Sequence, residues 1–296
     1  TPLYSSAASD VYKRQGQGAD TVFSQMAADA LGFNIKDVHI ISTQDTDVAP
    51  YGQGAYASRQ TYMASFAITK TAAILKKKIL EEAYLQTGMI PANLDIKNSR
   101  IIRTTDGKEL LTMEELATES MYTLKWNNQH ITAEATHTIK SNAYSFGASF
   151  AEVEVDIPLG KVKVLKLINI HDAGQIINPQ LAEGQAHGGM SMALGLALSE
   201  ELKYNDQGVI LNDNLLDYKL STTTDTPDME VYFIENPEPT SPFQTKSLGE
   251  PPTCSPAPAI RNAVYNATGV AFNNLPLTPH NLIPKFKEEG LIDNDL

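Results

Sequence analysis

An α+β fold, with mixed sheets and packed helices, is what this sequence predicts. Three observations carry that expectation. Apolar residues recur at helical spacing over 19–31, 60–85 and 179–200. Apolar and polar residues alternate over 131–139, 148–157 and 162–172, the signature of half-buried strands. The two kinds of segment do not follow one another in strict βαβ order, which argues against a doubly wound parallel sheet.

Taken in order, Val22, Phe23, Met26, Ala27 and Ala30 share one face of a helix over 19–31 that Gly32 ends. VHIIST, 38–43, is expected to be a short buried strand. QDTDVAPYGQGAYASR, 44–59, reads as a loop around Pro50 and its glycines. A long helix follows from Gln60 to about Leu85, with Lys76, Lys77 and Lys78 in water and Gly88 beyond its end. LDIKNSRIIRTTDGK holds two short strands and a turn at Asp106-Gly107. Thr112 with Glu115 three residues on forms a capping box that opens a helix. PLGK closes a hairpin between the segments 148–157 and 162–172. A helix over 179–200, a strand over 229–235 and a helix over 258–267 complete the pattern.

Composition removes several classes of function. The 296 residues carry a formal charge of −12, which disfavours a phosphate-backbone footprint, so no nucleic-acid partner is expected. No run of 18 apolar residues occurs, so no membrane helix is expected. The single cysteine, Cys254, excludes a disulfide framework and an iron–sulfur cluster held by this chain alone, and it fits a reducing, cytoplasmic compartment. The six histidines are scattered without zinc spacing, so any metal must bring its own ligands. TPLYSSAASDVYKRQ, residues 1–15, lacks an apolar signal core and abuts a strong helical pattern abruptly; it reads as a non-native leader, and the remainder as the back part of a longer protein.

Four stretches suit a bound group. GQGAD, 16–20, is a glycine-rich entry to a helix N-terminus, where free N–H groups favour an anion; a plain helix entry would look the same. GQGAYASRQT, 52–61, offers Ser58, Gln60 and Thr61 as uncharged hydrogen-bonding groups, although a surface loop has the same composition. AEGQAHGGMSMALG, 182–195, keeps helical pattern despite four glycines, each costing about 1 kcal/mol against alanine. Close packing against a neighbour or ligand would offset that cost, with Gln185 near the ligand and Met190 and Met192 as core filler. KSLGEPP, 246–252, sets one acid, Glu250, between Gly249 and two prolines, which should hold it in an extended conformation, poised as a general base or merely part of a turn.

GQGADTVFSQMAADALG, TDVAPYGQGAYASRQTY, INIHDAGQIINPQLAEGQAHGGM and KSLGEPP, in that order, resemble the molybdenum-binding subunit of the xanthine dehydrogenase family, specifically its C-terminal part in the bacterial type with separate FAD and iron–sulfur chains. The resemblance implies the α+β fold of a molybdopterin-binding domain over 16–296, with subdomains at about 16–140 and 141–296. It implies molybdopterin, plain or as its cytosine dinucleotide, with molybdenum held by the pterin dithiolene. Gly16, Gln17 and Gly18 would lie against the molybdenum centre, Ala57, Ser58, Gln60 and Thr61 against the pterin or its phosphate, and Gln185 and Gly249 beside the cofactor. Glu250 would be the general base. The implied reaction is hydroxylation of a purine, hypoxanthine or xanthine, with water as oxygen source, and electrons passing to FAD and 2Fe-2S clusters on partner chains. Another N-heterocycle or an aldehyde is the alternative substrate, and an inactive fragment serving only in subunit association is the alternative role. The family's substrate-orienting residues lie outside this chain, and Gln15 stands where the family has an apolar residue.

Overall fold

The computed structural model describes residues 16–41, 55–122, 130–138 and 141–293. The expected leader, residues 1–15, and residues 44–54 of the loop expected over 44–59 lie outside them. The chain divides into two compact units: one runs to Ala143 and includes Pro237–Lys246, the other comprises Tyr144–Asn236 and Ser247–Leu296.

In the first unit, helices α1 (Ala19–Leu31) and α2 (Gln60–Thr87) end at Gly32 and Gly88, both in the left-handed conformation that glycine adopts without a Cβ penalty. A three-stranded antiparallel sheet follows, β1 (Leu94–Lys97), β2 (Arg100–Arg103) and β3 (Glu109–Thr112). The Asp106 carboxylate accepts from the Lys108 N–H at 3.1 Å in the β2–β3 turn. Helix α3 (Met113–Tyr122) opens with the capping box its sequence announces. There the Thr112 N–H donates to Glu115 Oε2 at 2.8 Å, and the Glu115 N–H to Thr112 Oγ1 at 3.1 Å. Leu31, Leu75, Ile79, Leu94, Ile96, Ile101 and Leu116 form the core of this unit.

Among the described residues, two expected strands are absent. Residues 38–41 pair with no strand; Val38 and Ile40 lie with Phe23, Leu31 and Ile68 around a small apolar cavity, and Ile41 is exposed. Residues 42–43 of that expectation lie outside the described residues. Residues 131–138 of the strand expected over 131–139 also form none, and lysines of α2 take two of their carbonyls; residue 139 lies outside the described residues. Lys70 donates to the Thr136 carbonyl at 3.1 Å and Lys78 to that of Thr132 at 2.6 Å, while His137 stacks on Phe66. Alternation here serves a segment lying along a helix, with Ile131 and Ala133 turned to the core.

The second unit holds an open sheet of order β4–β5–β6. Strands β4 (Phe146–Asp156) and β5 (Lys161–Asp172) are the expected hairpin. Their turn is tied by the Leu159 N–H to Asp156 Oδ1 at 3.0 Å, with Gly160 at φ 58. Strand β6 (Asp228–Ile234) runs parallel to β5, which requires the intervening chain to cross back; helix α4 (Pro179–Leu198) lies in that crossover. Helices α5 (Pro251–Cys254), α6 (Pro256–Thr268) and α7 (Pro279–Glu288) each begin on proline, whose fixed φ suits a first helical turn. Leu167, Met190, Leu194, Ile260, Leu282 and Phe286 fill this core. Met192, expected beside Met190 in the core, is instead 63% exposed, because two residues turn a helical side chain by about 200°.

Candidate functional site

In the first unit the structure brings two of the predicted cofactor segments together. Gly16 and Gly18 have φ of 95° and 82°, and Gly18 caps α1 through its backbone alone. Ala57 and Ser58 also have positive φ, 55° and 53°, before Arg59 returns to the right-handed region and α2 begins. Alanine in that region costs about 1–2 kcal/mol, so the surrounding fold imposes the turn. Gln17 Nε2 donates to Gln60 Oε1 at 3.0 Å, which sets the start of α1 beside the start of α2. Two positive dipole ends and their first-turn N–H groups therefore sit side by side. Gln17, Ser58, Gln60 and Thr61 are half-buried; Gly16 and Ala57 are exposed.

Behind Thr61 runs a hydroxyl network that no sequence pattern signals. Tyr62 Oη lies 2.8 Å from Thr240 Oγ1 and 3.1 Å from Ser141 Oγ, and Ser65 Oγ donates to the Tyr62 carbonyl at 2.6 Å. Ser65 and Ser241 are buried and 3.4 Å apart. These partners are separated by up to 178 residues, so only folding pairs them.

In the second unit the GEPP turn is packed against the glycine-rich helix. A Cβ on Gly189 would stand 2.7 Å from Pro252 Cβ and 3.1 Å from the Pro252 carbonyl carbon and the Thr253 nitrogen. Gly184 and Gly188 meet nothing within 4 Å, so the close approach expected of all four glycines belongs to Gly189 and Gly195. Gln185 is one turn before Gly189 and shares its face, so it lies on the side of α4 that meets the turn. Gly249 is half-buried and Glu250 exposed.

Glu250 departs from the extended conformation its proline neighbour predicts. It has φ −85° and ψ −33° and serves as the cap of α5. Its carbonyl accepts from the Thr253 N–H at 2.9 Å, and that bond requires a helical turn. One hydrogen bond and the packing of Pro252 outweigh the local steric preference.

Strand β5 buries three polar side chains with no role assigned from sequence, Asn169, His171 and Asp172. Asn169, fully buried, donates through Nδ2 to the Pro252 carbonyl at 3.0 Å. His171 is 1% exposed, and neither ring nitrogen has a hydrogen-bond partner among the described residues. It occupies the space left by Gly147 on β4, where a Cβ would stand 2.5 Å from the imidazole. Burial, the larger cause, pushes the His171 pKa below its usual value, and the Phe146 backbone acts in the opposite direction. A depressed folded pKa means that protonation favours the unfolded chain. The stability His171 contributes is thus complete above pH about 6.5 and is lost as pH falls through the folded value. The thermal midpoint is expected to drop between pH 7 and 5, with a shallower drop in His171→Gln. An unchanged slope in that variant, or an imidazole NMR titration midpoint above 6.5, would contradict this.

Helices packed with two open sheets define an α+β fold. The chain belongs to the molybdopterin cofactor-binding domain family, whose sequence profile matches residues 11–227. It is 47% identical over 279 residues to the xanthine dehydrogenase molybdenum-binding subunit of Escherichia coli O157:H7, covering 94% of this chain and 37% of that protein. It is 33% identical over 257 residues to the carbon monoxide dehydrogenase large chain of Afipia carboxidovorans, covering 86% of this chain and 32% of that one. Among solved structures, reconstituted CO dehydrogenase from Oligotropha carboxidovorans superposes with TM-score 0.84 at 32% identity, covering 94% of this chain and 35% of that chain. Quinoline 2-oxidoreductase from Pseudomonas putida 86 superposes with TM-score 0.81 at 29% identity, over 92% and 35%. The chain thus spans about a third of the length of these relatives.

Proposed function

We propose that this chain is part of a molybdenum hydroxylase subunit that oxidises a purine, hypoxanthine or xanthine, with water as the oxygen source. The observation that carries the reading is the Gln17–Gln60 pair at 3.0 Å, joining two helix N-termini that follow a glycine turn and a strained Ala57–Ser58 turn. Neutral amides, backbone N–H groups and converging dipoles fit an anionic, hydrogen-bonding cofactor such as molybdopterin or its cytosine dinucleotide. The bound group would supply a two-electron acceptor and Lewis acid. Gly16, Gln17 and Gly18 would face the metal end, and Ala57, Ser58, Gln60 and Thr61 the pterin or phosphate. Gln185 and Gly249, on α4 and the GEPP turn, are proposed as further cofactor-binding residues. Glu250 would accept a proton from the attacking oxygen, which needs a carboxylate held within about 3 Å of that atom on a rigid support. FAD and iron–sulfur partner subunits would carry the electrons onward, in the cytoplasm.

The preference for a purine rests on the greater identity to the xanthine dehydrogenase subunit. Likeness to a quinoline oxidoreductase keeps another N-heterocycle as the second reading. The complete subunit, purified with its partners, is expected to hold molybdenum and pterin near one per chain. It should also place one ¹⁸O from labelled water in the product formed from hypoxanthine. Absence of both metal and pterin, or label arriving from dioxygen, would overturn the proposal. Turnover of quinoline but not purine would select the second reading.

A further inference from the structure

The Glu250 turn carries Pro251 and Pro252, and neither has an N–H. The Thr253 N–H to Glu250 carbonyl bond closes the turn over them, and any further hydrogen bond to these two residues must come from a donor to one of their carbonyls. Asn169 does this, through Nδ2 to the Pro252 carbonyl at 3.0 Å, on a side chain with no exposed surface. Its neighbours on the same face of the sheet include Leu167, fully buried, and its own Oδ1 is buried without a partner among the described residues. Stability alone favours an apolar residue here, since a half-satisfied buried amide is a poor substitute for one. Two further ties act on the same turn: Gly189 lets α4 approach Pro252, and Ser149 Oγ on β4 lies 2.7 Å from Ser255 Oγ.

We propose that Asn169 is a positioning residue that fixes the Glu250 turn by donating to the Pro252 carbonyl. The proposal rests on the reading of Glu250 as general base. Asn169→Leu keeps the approximate volume and removes the donor; Asn169→Asp keeps the shape and, once ionised, can only accept. In the complete, cofactor-loaded enzyme both variants are expected to lower kcat about ten- to a hundred-fold, the scale of a small misplacement of a reacting group. KM and the molybdenum and pterin content should stay at wild-type values. Hydrogen–deuterium exchange supplies a readout independent of turnover: the Thr253 amide, bonded to the Glu250 carbonyl, should exchange about ten-fold faster. Wild-type exchange at Thr253 together with wild-type kcat per molybdenum would overturn the proposal. So would a loss of thermal stability and cofactor yield with kcat per molybdenum unchanged, because that marks a purely structural role. The two readings separate cleanly. Full turnover in Glu250→Gln removes the base assignment, whatever the exchange rates. A dead Glu250→Gln beside an Asn169→Leu that matches wild type in exchange and kcat removes the positioning role alone.

Discussion

Glu250→Gln, in the complete cofactor-loaded enzyme, is expected to lose about 10²–10⁴-fold in kcat while retaining molybdenum and pterin. The amide preserves the volume and the φ/ψ preference of the residue and cannot accept a proton at working pH. The cap geometry at φ −85° and ψ −33° depends on the backbone carbonyl, so the turn should persist. Steady-state kinetics normalised to bound molybdenum checks the result. Turnover within a few-fold of wild type, at full cofactor occupancy, would remove Glu250 from the reaction.

Gly189→Ala is expected to destabilise the protein and slow it together. Helix propensity alone favours alanine here by about 1 kcal/mol. Against that, the new Cβ would stand 2.7 Å from Pro252 Cβ and 3.1 Å from backbone atoms of Pro252 and Thr253. Those atoms belong to a proline and a short helix, which cannot rotate out of the way, and overpacking of this kind costs about 1–3 kcal/mol. The clash should win, pushing the turn outward and lowering kcat by about 10²-fold for a displacement near 1 Å. Thermal melting and kinetics on the same preparation test both halves. A raised melting midpoint with unchanged kcat would show that the turn and α4 are not rigidly packed.

Much of the architecture was legible because its signals are local. The ends of α1 at Gly32 and of α3's cap at Thr112 follow from residues within one turn of each other. The β4–β5 hairpin follows from a short turn between two alternating runs. The strands expected over 38–43 and 131–139, absent over their described residues, show the limit of that logic. Alternation records which side chains are buried, and a segment lying along a helix buries every second residue as a strand does. The candidate site residues divide the same way. Gly16 and Gly18 announce a positive-φ turn, whereas Ala57 and Ser58 adopt one with no local cause. Tyr62, Ser141 and Thr240 meet only because distant segments fold against each other.

Strand β5 marks the boundary between what the residues encode and what folding chooses. VKVLKLINIHD by itself specifies a strand, its hairpin partner and its inward Val162 and Val164. Strict alternation from there would turn Ile168 and Ile170 inward and put Asn169 and His171 in water. Val153 faces Val164 while Glu152 faces Lys166, so Leu165 is an extra residue that shifts the pairing and reverses the parity beyond it. Leu167, Asn169 and His171 are buried as a result, and the amide that reaches Pro252 points inward. No pattern within the strand demands that bulge. Its position depends on which register best packs the sheet against the helices and the GEPP turn, a competition among contacts far apart in the chain.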